Sequence, residues 1–301
     1  MTDRTLPVIG FIGLGLMGSA MAQRLLSLNY PLNVIANRNR EAIEQAVAKG
    51  AIEYSSIAEL TKNSDVVMLC LSTSNVVEAV MEGPDGVIEN LKKDSLVIDF
   101  GTSLPASTKK LAMACNNRGA SMMDAPLGRT PAQAIDGLLN IMAAGSEQDF
   151  KRIEPVLNDL GENVYHVGVI GAGHTLKLIN NFFGMTTACA MSEAFAMADV
   201  AGLKREALYD VMSSGPLRSV MMDLVKANAV DGNSQALAFS IANAHKDLRY
   251  YGAMADEFDV NSFIAPAVKN TFGLAKASNW GNRMVSEMVD YIANIYDGRA
   301  K

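Results

Sequence analysis

The stretch Val8-Ile9-Gly10-Phe11-Ile12-Gly13-Leu14-Gly15-Leu16-Met17-Gly18 decides the fold. Its apolar opening reads as a short buried strand. Three glycines follow, Gly13, Gly15 and Gly18, and then an amphipathic run over residues 19–26. Strand, glycine turn and helix in that order form the fingerprint of a dinucleotide-binding βα unit. The first glycine permits the tight turn, the second lets backbone approach a pyrophosphate, and the third lets the helix pack close to the strand. The first helical turn offers free N–H groups and a positive dipole end to phosphates. Gly13, Leu14, Gly15, Leu16, Met17 and Gly18 are therefore candidate cofactor-binding residues.

The second strand, 32–36, ends about 20 residues past the first glycines, where an acid would bind the ribose 2′-hydroxyl of NAD. This chain has Asn37-Arg38-Asn39-Arg40 there and no acid. An arginine carries fixed charge and a planar fork that suits a phosphate, so Asn37 and Arg38 predict NADP as the preferred cofactor, with NAD possible. The competing reading makes Arg38 and Arg40 solvated residues that open the next helix.

With 301 residues the chain is long enough for two domains, and 49% hydrophobic with 19% charged residues suits a large core. The net charge of −6 argues against a nucleic-acid or anionic-membrane surface. Cys70, Cys115 and Cys189 have no metal or redox spacing and read as buried free thiols of a reducing compartment. Residues 1–4 pass directly into a strand, which leaves no room for a signal peptide and predicts a cytoplasmic protein. The apolar stretch 175–201 is interrupted by Lys177, Asn180, Asn181, Glu193 and Asp199, so it reads as a core helix rather than a membrane span.

Further strands are expected at 65–71, 95–100, 121–125, 138–144 and 163–167, with helices between most of them, such as 75–81, 105–118 and 147–160. This alternation predicts a largely parallel, doubly wound sheet of the Rossmann type. From residue 171 on the periodicity is helical, with loops near 229–234 and 259–266. The expected organisation is an NAD(P)-binding domain over 1–170 and an all-helical substrate and dimerisation domain over 171–301. Gly171-Ala172-Gly173 reads as a flexible entry to the long helix. Ligands of open α/β sheets bind beyond the carboxyl ends of the strands, so a catalytic cleft is expected between that edge and the helical part.

Lys177 is the candidate for the chemical step. It shares a helix face with Asn181, and Asn180 is a near neighbour, which makes a polar spot on an apolar helix. A lysine snorkelling to solvent beside capping asparagines meets the same spacing. His245-Lys246-Asp247 is a second polar cluster; by spacing alone an exposed charged turn is favoured there. His166 and His174 lack metal-ligand spacing, so no metal is expected, and no nucleophile elbow is visible. Asp124-Ala125-Pro126-Leu127-Gly128-Arg129-Thr130 closes a strand at its carboxyl end, where Arg129 could grip an anion with its fork and nearby N–H groups. A surface arginine in a turn fits equally. At Gly101-Thr102-Ser103-Leu104-Pro105, Thr102 or Ser103 is expected to cap the next helix.

Together these motifs resemble the β-hydroxyacid dehydrogenase (3-hydroxyisobutyrate dehydrogenase) family over nearly the whole chain. The likeness is carried by 11–18, by Asp124-Ala125-Pro126, by 173–181 with its Lys177 and Asn180-Asn181, and by His245-Lys246-Asp247. It implies an NAD(P)-dependent oxidoreductase that interconverts a small anionic aldehyde and its 3-hydroxy acid. Lys177 would be the proton donor and acceptor. Thr102, Gly128, Arg129, Thr130, Asn180 and Asn181 would hold substrate. Leu71, Thr102, Phe239 and Lys246 would join the glycine turn around the cofactor. The chain departs from the common pattern at Gly128-Arg129-Thr130, where many members have Ser-Gly-Gly; this form is similar to the sulfolactaldehyde reductase branch, which makes a sulfonate substrate plausible and leaves a carboxylate open. Ser72 and Gly101 are smaller departures, where a proline and a serine are usual. A homodimer or homotetramer is expected from the very apolar helical half. The competing function is a non-catalytic nucleotide-binding scaffold or redox sensor on the same fold, which the presence of Lys177 disfavours.

Overall fold

The computed structural model describes residues 5–37 and 40–298. The chain divides into two compact units, Met1–Lys177 and Leu178–Lys301.

The first unit is built on a six-stranded sheet. Its strands are β1 (Ile9–Ile12), β2 (Leu32–Ile35), β3 (Ile52–Tyr54), β4 (Val66–Leu69), β5 (Leu96–Asp99) and β6 (Ser121–Asp124). They lie in the order β3-β2-β1-β4-β5-β6, and every neighbouring pair is parallel. The order reverses at β1, which lies between β2 and β4 and so opens a crevice at the carboxyl edge. The central strands β1, β4 and β5 are nearly continuous apolar runs because both their faces are buried. Ile9, Phe11, Val66, Met68, Leu96 and Ile98 enter one core, while Ile12, Val67, Leu69 and Val97 enter another. The period of two thus sends alternate residues to opposite faces. Helices α1 (Leu16–Ser27), α2 (Arg40–Ala48), α3 (Ile57–Lys62), α4 (Ser74–Glu82), α5 (Val87–Asn90) and α6 (Pro105–Asn116) connect these strands.

Two expectations need correction. Strand β3 is absent from the sequence reading, because its exposed Ile52 and Glu53 give it no apolar run. The segments expected at 138–144 and 163–167 do not extend the main sheet. They form β8 (Leu139–Ala143) and β9 (Gly161–His166) of a separate three-stranded sheet, with β7 (Leu127–Gly128) antiparallel to β8 and β9 parallel to it. The short α7 (Pro131–Ile135) and the longer α8 (Glu147–Leu160) are its connections. The two sheets meet through a single antiparallel bridge, Asp124–Ala144, closed by backbone bonds of 3.1 and 2.7 Å.

Helix α9 (Ala172–Val200) contributes its first residues, to Lys177, to this unit. In the second unit it is followed by α10 (Arg205–Ser213), α11 (Val220–Ala229), α12 (Ile241–Glu257), α13 (Ala265–Ala275) and α14 (Met288–Tyr296). Their core is Phe195, Val225, Ile241, Leu248, Phe272 and Met288. Among the described residues this unit holds no strand, only an isolated bridge between Ser240 and Met284. No helix among the described residues is long and apolar enough to cross a membrane.

Candidate active site

The glycine turn is shaped as its spacing requires. Gly13 has φ of +106°, and a Cβ there would lie 2.5 Å from the Cys70 carbonyl oxygen. At Gly18 a Cβ would overlap the carbonyl oxygen of Gly13. Gly15 differs: a Cβ would meet nothing within 4 Å, so its lack of a side chain serves no contact within the protein. Gly15 is the N-cap of α1, with no side-chain hydrogen bond and no acid in the first helical turn. That turn leaves its N–H groups and positive end to an anion. Leu16 beside it is exposed, Leu14 buried, and Met17 packs on the first core. A cavity of about 470 Å³ opens beside the turn, lined by Leu14, Gly15, Leu16, Ser19, Gln23 and Pro131 among others. The backbone of β4 continues into Cys70 and Leu71, and the Leu71 side chain lies against Gly13. These features fit a dinucleotide.

The second candidate cofactor segment follows β2. Asn37 is exposed at the end of β2, and Arg38 lies outside the described residues. The Arg40 fork is bidentate on Glu53 of β3, at 2.7 and 3.2 Å. An exposed pair of this kind is worth little and can exchange partners.

At the carboxyl ends of β5 and β6, two aspartates are buried. Asp99 accepts the Gly101 N–H and the Ser103 hydroxyl, both at 2.8 Å, and so shapes the loop that carries Thr102. Neither Thr102 nor Ser103 caps α6, contrary to expectation. Leu104 is the N-cap, Pro105 lacks an N–H to satisfy, and the Leu104 N–H goes to the Ser74 hydroxyl at 2.8 Å. Asp124 accepts the N–H groups of Gly171 and His174, both at 2.7 Å, and thereby caps α9 from another element. Burial pushes the Asp124 carboxyl above its usual range, against the pull of His174 and of these N–H groups. Gly173 is no flexible entry: a Cβ there would overlap Met142 O and come within 2.8 Å of an Asp124 oxygen. The close approach fixes the start of α9. Lys177, half-buried, lies three residues past His174 on the same helix.

The substrate-loop residues behave differently from their expectation. Arg129 has φ of +79°, strained for a residue with a side chain. Its Nη1 donates to Leu138 O and to the Glu162 carboxylate. Nη1 therefore already serves a carboxylate, and an incoming anion either shares the guanidinium with Glu162 or displaces it. Gly128 pairs with Asn140 of β8. The Thr130 N–H and hydroxyl both donate to Gln133 Oε1, at 3.1 and 3.0 Å, which holds the start of α7.

In the second unit, Asn180 donates from its amide to Asn181 Oδ1 at 3.2 Å, and Asn181 donates to Asp247 Oδ2 at 2.6 Å. Asp247 is buried and its other oxygen lies 3.1 Å from Lys246 Nζ. His245-Lys246-Asp247 sits within α12 and is not an exposed turn. The sequence singled out these residues but missed the role of Asp247 as the common partner of Asn181 and Lys246. Lys246 Nζ lies 5.4 Å from the centre of the Tyr250 ring, while Phe239 packs on the helical core. Among the described residues no group of three or more His, Cys, Asp or Glu side chains is placed to hold a metal.

Residues 8–168 match the model of the NAD-binding domain of 6-phosphogluconate dehydrogenase. Residues 171–292 match that of the NAD-binding domain of NADP-dependent 3-hydroxyisobutyrate dehydrogenase. The 3-sulfolactaldehyde reductase of Escherichia coli (strain K12) is 33% identical over 284 residues, 94% of this chain and 95% of that protein. The chain belongs to the 3-hydroxyisobutyrate dehydrogenase family. The crystal structure of 3-hydroxyisobutyrate dehydrogenase from Salmonella typhimurium superposes with a TM-score of 0.82 at 28% identity, covering 94% of this chain and 99% of that one. That of Psf3 in complex with NADP+ and 2-OPP gives 0.83 at 26%, covering 95% and 100%. This member of the family is an NAD(P)-dependent oxidoreductase that interconverts aldehydes and hydroxy acids, and it binds a nicotinamide cofactor.

Proposed function

We propose that the enzyme reduces a small anionic aldehyde, a semialdehyde or sulfolactaldehyde, to its 3-hydroxy acid with NADPH preferred, and reverses the reaction when the hydroxy acid is in excess. The observation that carries this reading is the placing of Lys177. It stands one turn past the helix start that Asp124 pins to the carboxyl edge of the sheet, in the same unit as the glycine turn. The nicotinamide supplies or takes the hydride. The Lys177 ammonium donates a proton to the carbonyl oxygen as negative charge develops on it, and the neutral amine takes that proton back from the alcohol in oxidation. Gly13 to Gly18, Asn37, Arg38, Leu71, Thr102, Phe239 and Lys246 are proposed to hold the cofactor. Thr102, Gly128, Arg129, Thr130, Asn180 and Asn181 are proposed to hold substrate. The proposed domains are 1–170 for the cofactor and 171–301 for substrate and dimerisation, in a cytoplasmic homodimer or homotetramer. Exposed Phe183, Val220 and Phe263 of the second unit support assembly, and sedimentation of the purified chain decides it.

The test is a set of steady-state rates with NADPH and NADH against succinic semialdehyde, tartronate semialdehyde, methylmalonate semialdehyde and sulfolactaldehyde. A lower KM for NADPH and turnover of at least one aldehyde are expected. A clear NADH preference removes the cofactor proposal, and inertness to all four removes the substrate class. In the same panel Arg129→Ala should raise KM for the preferred anion by about 10–100-fold, the worth of one hydrogen bond to a charged group. An unchanged KM assigns Arg129 wholly to its pairing with Glu162.

A further inference from the structure

We propose that His174 is a positioning residue that ties the loop bearing Thr102 to the helix turn bearing Lys177. This rests on the reading of Lys177 as the proton donor. Two carboxylates act as separate anchors at the sheet edge: Asp99 shapes the loop 101–103, and Asp124 caps α9. The His174 ring lies between them. Its Nδ1 is 2.8 Å from Thr108 Oγ1 and 3.8 Å from Asp124 Oδ2, and its Nε2 is 3.7 Å from Asp99 Oδ2. Thr108 Oγ1 also lies 3.1 Å from Leu104 O, and which group donates across the 2.8 Å contact follows the His174 tautomer; with the ring proton on Nε2, Thr108 donates to Nδ1 and the ring presents an N–H toward Asp99.

All four side chains are buried, His174 and both aspartates completely. His174 Nε2 has no hydrogen-bond partner. An orphan nitrogen facing a buried carboxylate is costly, and a leucine would fill the same space without that cost. The arrangement does what apolar packing does not: hydrogen bonds join α9 to α6 through Thr108 and to β6 through Asp124, while Nε2 faces Asp99 of β5 at 3.7 Å. His174 and Lys177, three apart on α9, stack on one face, so a shift of the ring is passed to the lysine. Turnover is sensitive to such shifts, since a misplacement near 1 Å costs on the order of 100-fold.

Three variants separate positioning from packing. His174→Leu fills the space without polar contacts. His174→Asn places an amide near the Nδ1 position and keeps only the Thr108 side. His174→Gln reaches the Nε2 position and donates to Asp99. With NADPH saturating, His174→Leu and His174→Asn should lower kcat by about 30–100-fold, with KM for the aldehyde and the NADPH dissociation constant within about threefold of the parent. His174→Gln should recover kcat to within about fivefold. Melting temperatures are recorded alongside, and the order of kcat should follow the contact to Asp99 and not the order of stability. The proposal is overturned if any of the three that folds departs from this order: Leu or Asn keeping kcat within threefold, Gln failing to recover, or kcat tracking melting temperature. Lys177→Ala is run in parallel. Full activity in that variant removes the lysine reading itself, whereas loss there with intact His174 variants removes only this proposal.

Discussion

Replacing Lys177 by Ala is expected to lower kcat by about 10³-fold or more, because in the proposed reaction Lys177 is both the general acid and the positive charge that meets the developing oxyanion. The dissociation constant for NADPH should change less than about threefold, since the glycine turn and Leu71 lie on other elements of the fold. Lys177→Arg sharpens the test. Arginine keeps the charge but holds its proton too tightly to transfer it. Substrate KM should then stay near the parental value while kcat recovers less than about a tenth of what alanine lost. Steady-state kinetics with a binary binding titration read all three quantities. An alanine variant with most of its turnover leaves Lys177 as an ordinary half-buried lysine.

The second large effect comes from comparing two glycines three residues apart. At Gly18 a methyl group overlaps backbone, the Gly13 carbonyl, which cannot move without opening the turn. Gly18→Ala should cost about 1–3 kcal/mol of stability, as overpacking of a tight core does, and lower the melting temperature by several degrees. At Gly15 the same methyl enters open space, and the backbone there, with φ of −76° and ψ of −164°, suits alanine. Gly15→Ala should therefore leave the melting temperature of the ligand-free protein within a degree or so. Its cost should fall on the cofactor, whose pyrophosphate is held back from the N–H groups of α1; a loss of about 10–100-fold in NADPH affinity is expected. Thermal unfolding and fluorescence titration together distinguish the two. An alanine at 15 that binds NADPH as the parent does would place the phosphates elsewhere.

The linkage of Asp124 to the start of α9 also explains why this part of the sequence was read only halfway. The motif at 124–126 and the lysine of 173–181 are each legible as short strings, and their resemblance to the family carried their roles. That one caps the other is not written in either string. Arg129 shows the same limit more sharply. Its neighbours Gly128 and Thr130 suggested an open anion grip, yet its charge is met by Glu162, 33 residues on, across the edge of the small sheet.

The amino-acid sequence by itself determined the βα nucleotide unit, the parallel character of the main sheet, the helical second half and the position of the lysine. Each of these is a short-range property: strand and helix periods, and the steric need for glycine at 13 and 18, act within a few residues. Folding alone decided that β8 and β9 leave the main sheet, that β3 completes it, and that Asp99, His174 and Asp124 gather into one buried cluster. Those outcomes depend on strand order and register, which bring distant residues within hydrogen-bond reach and which no local pattern specifies.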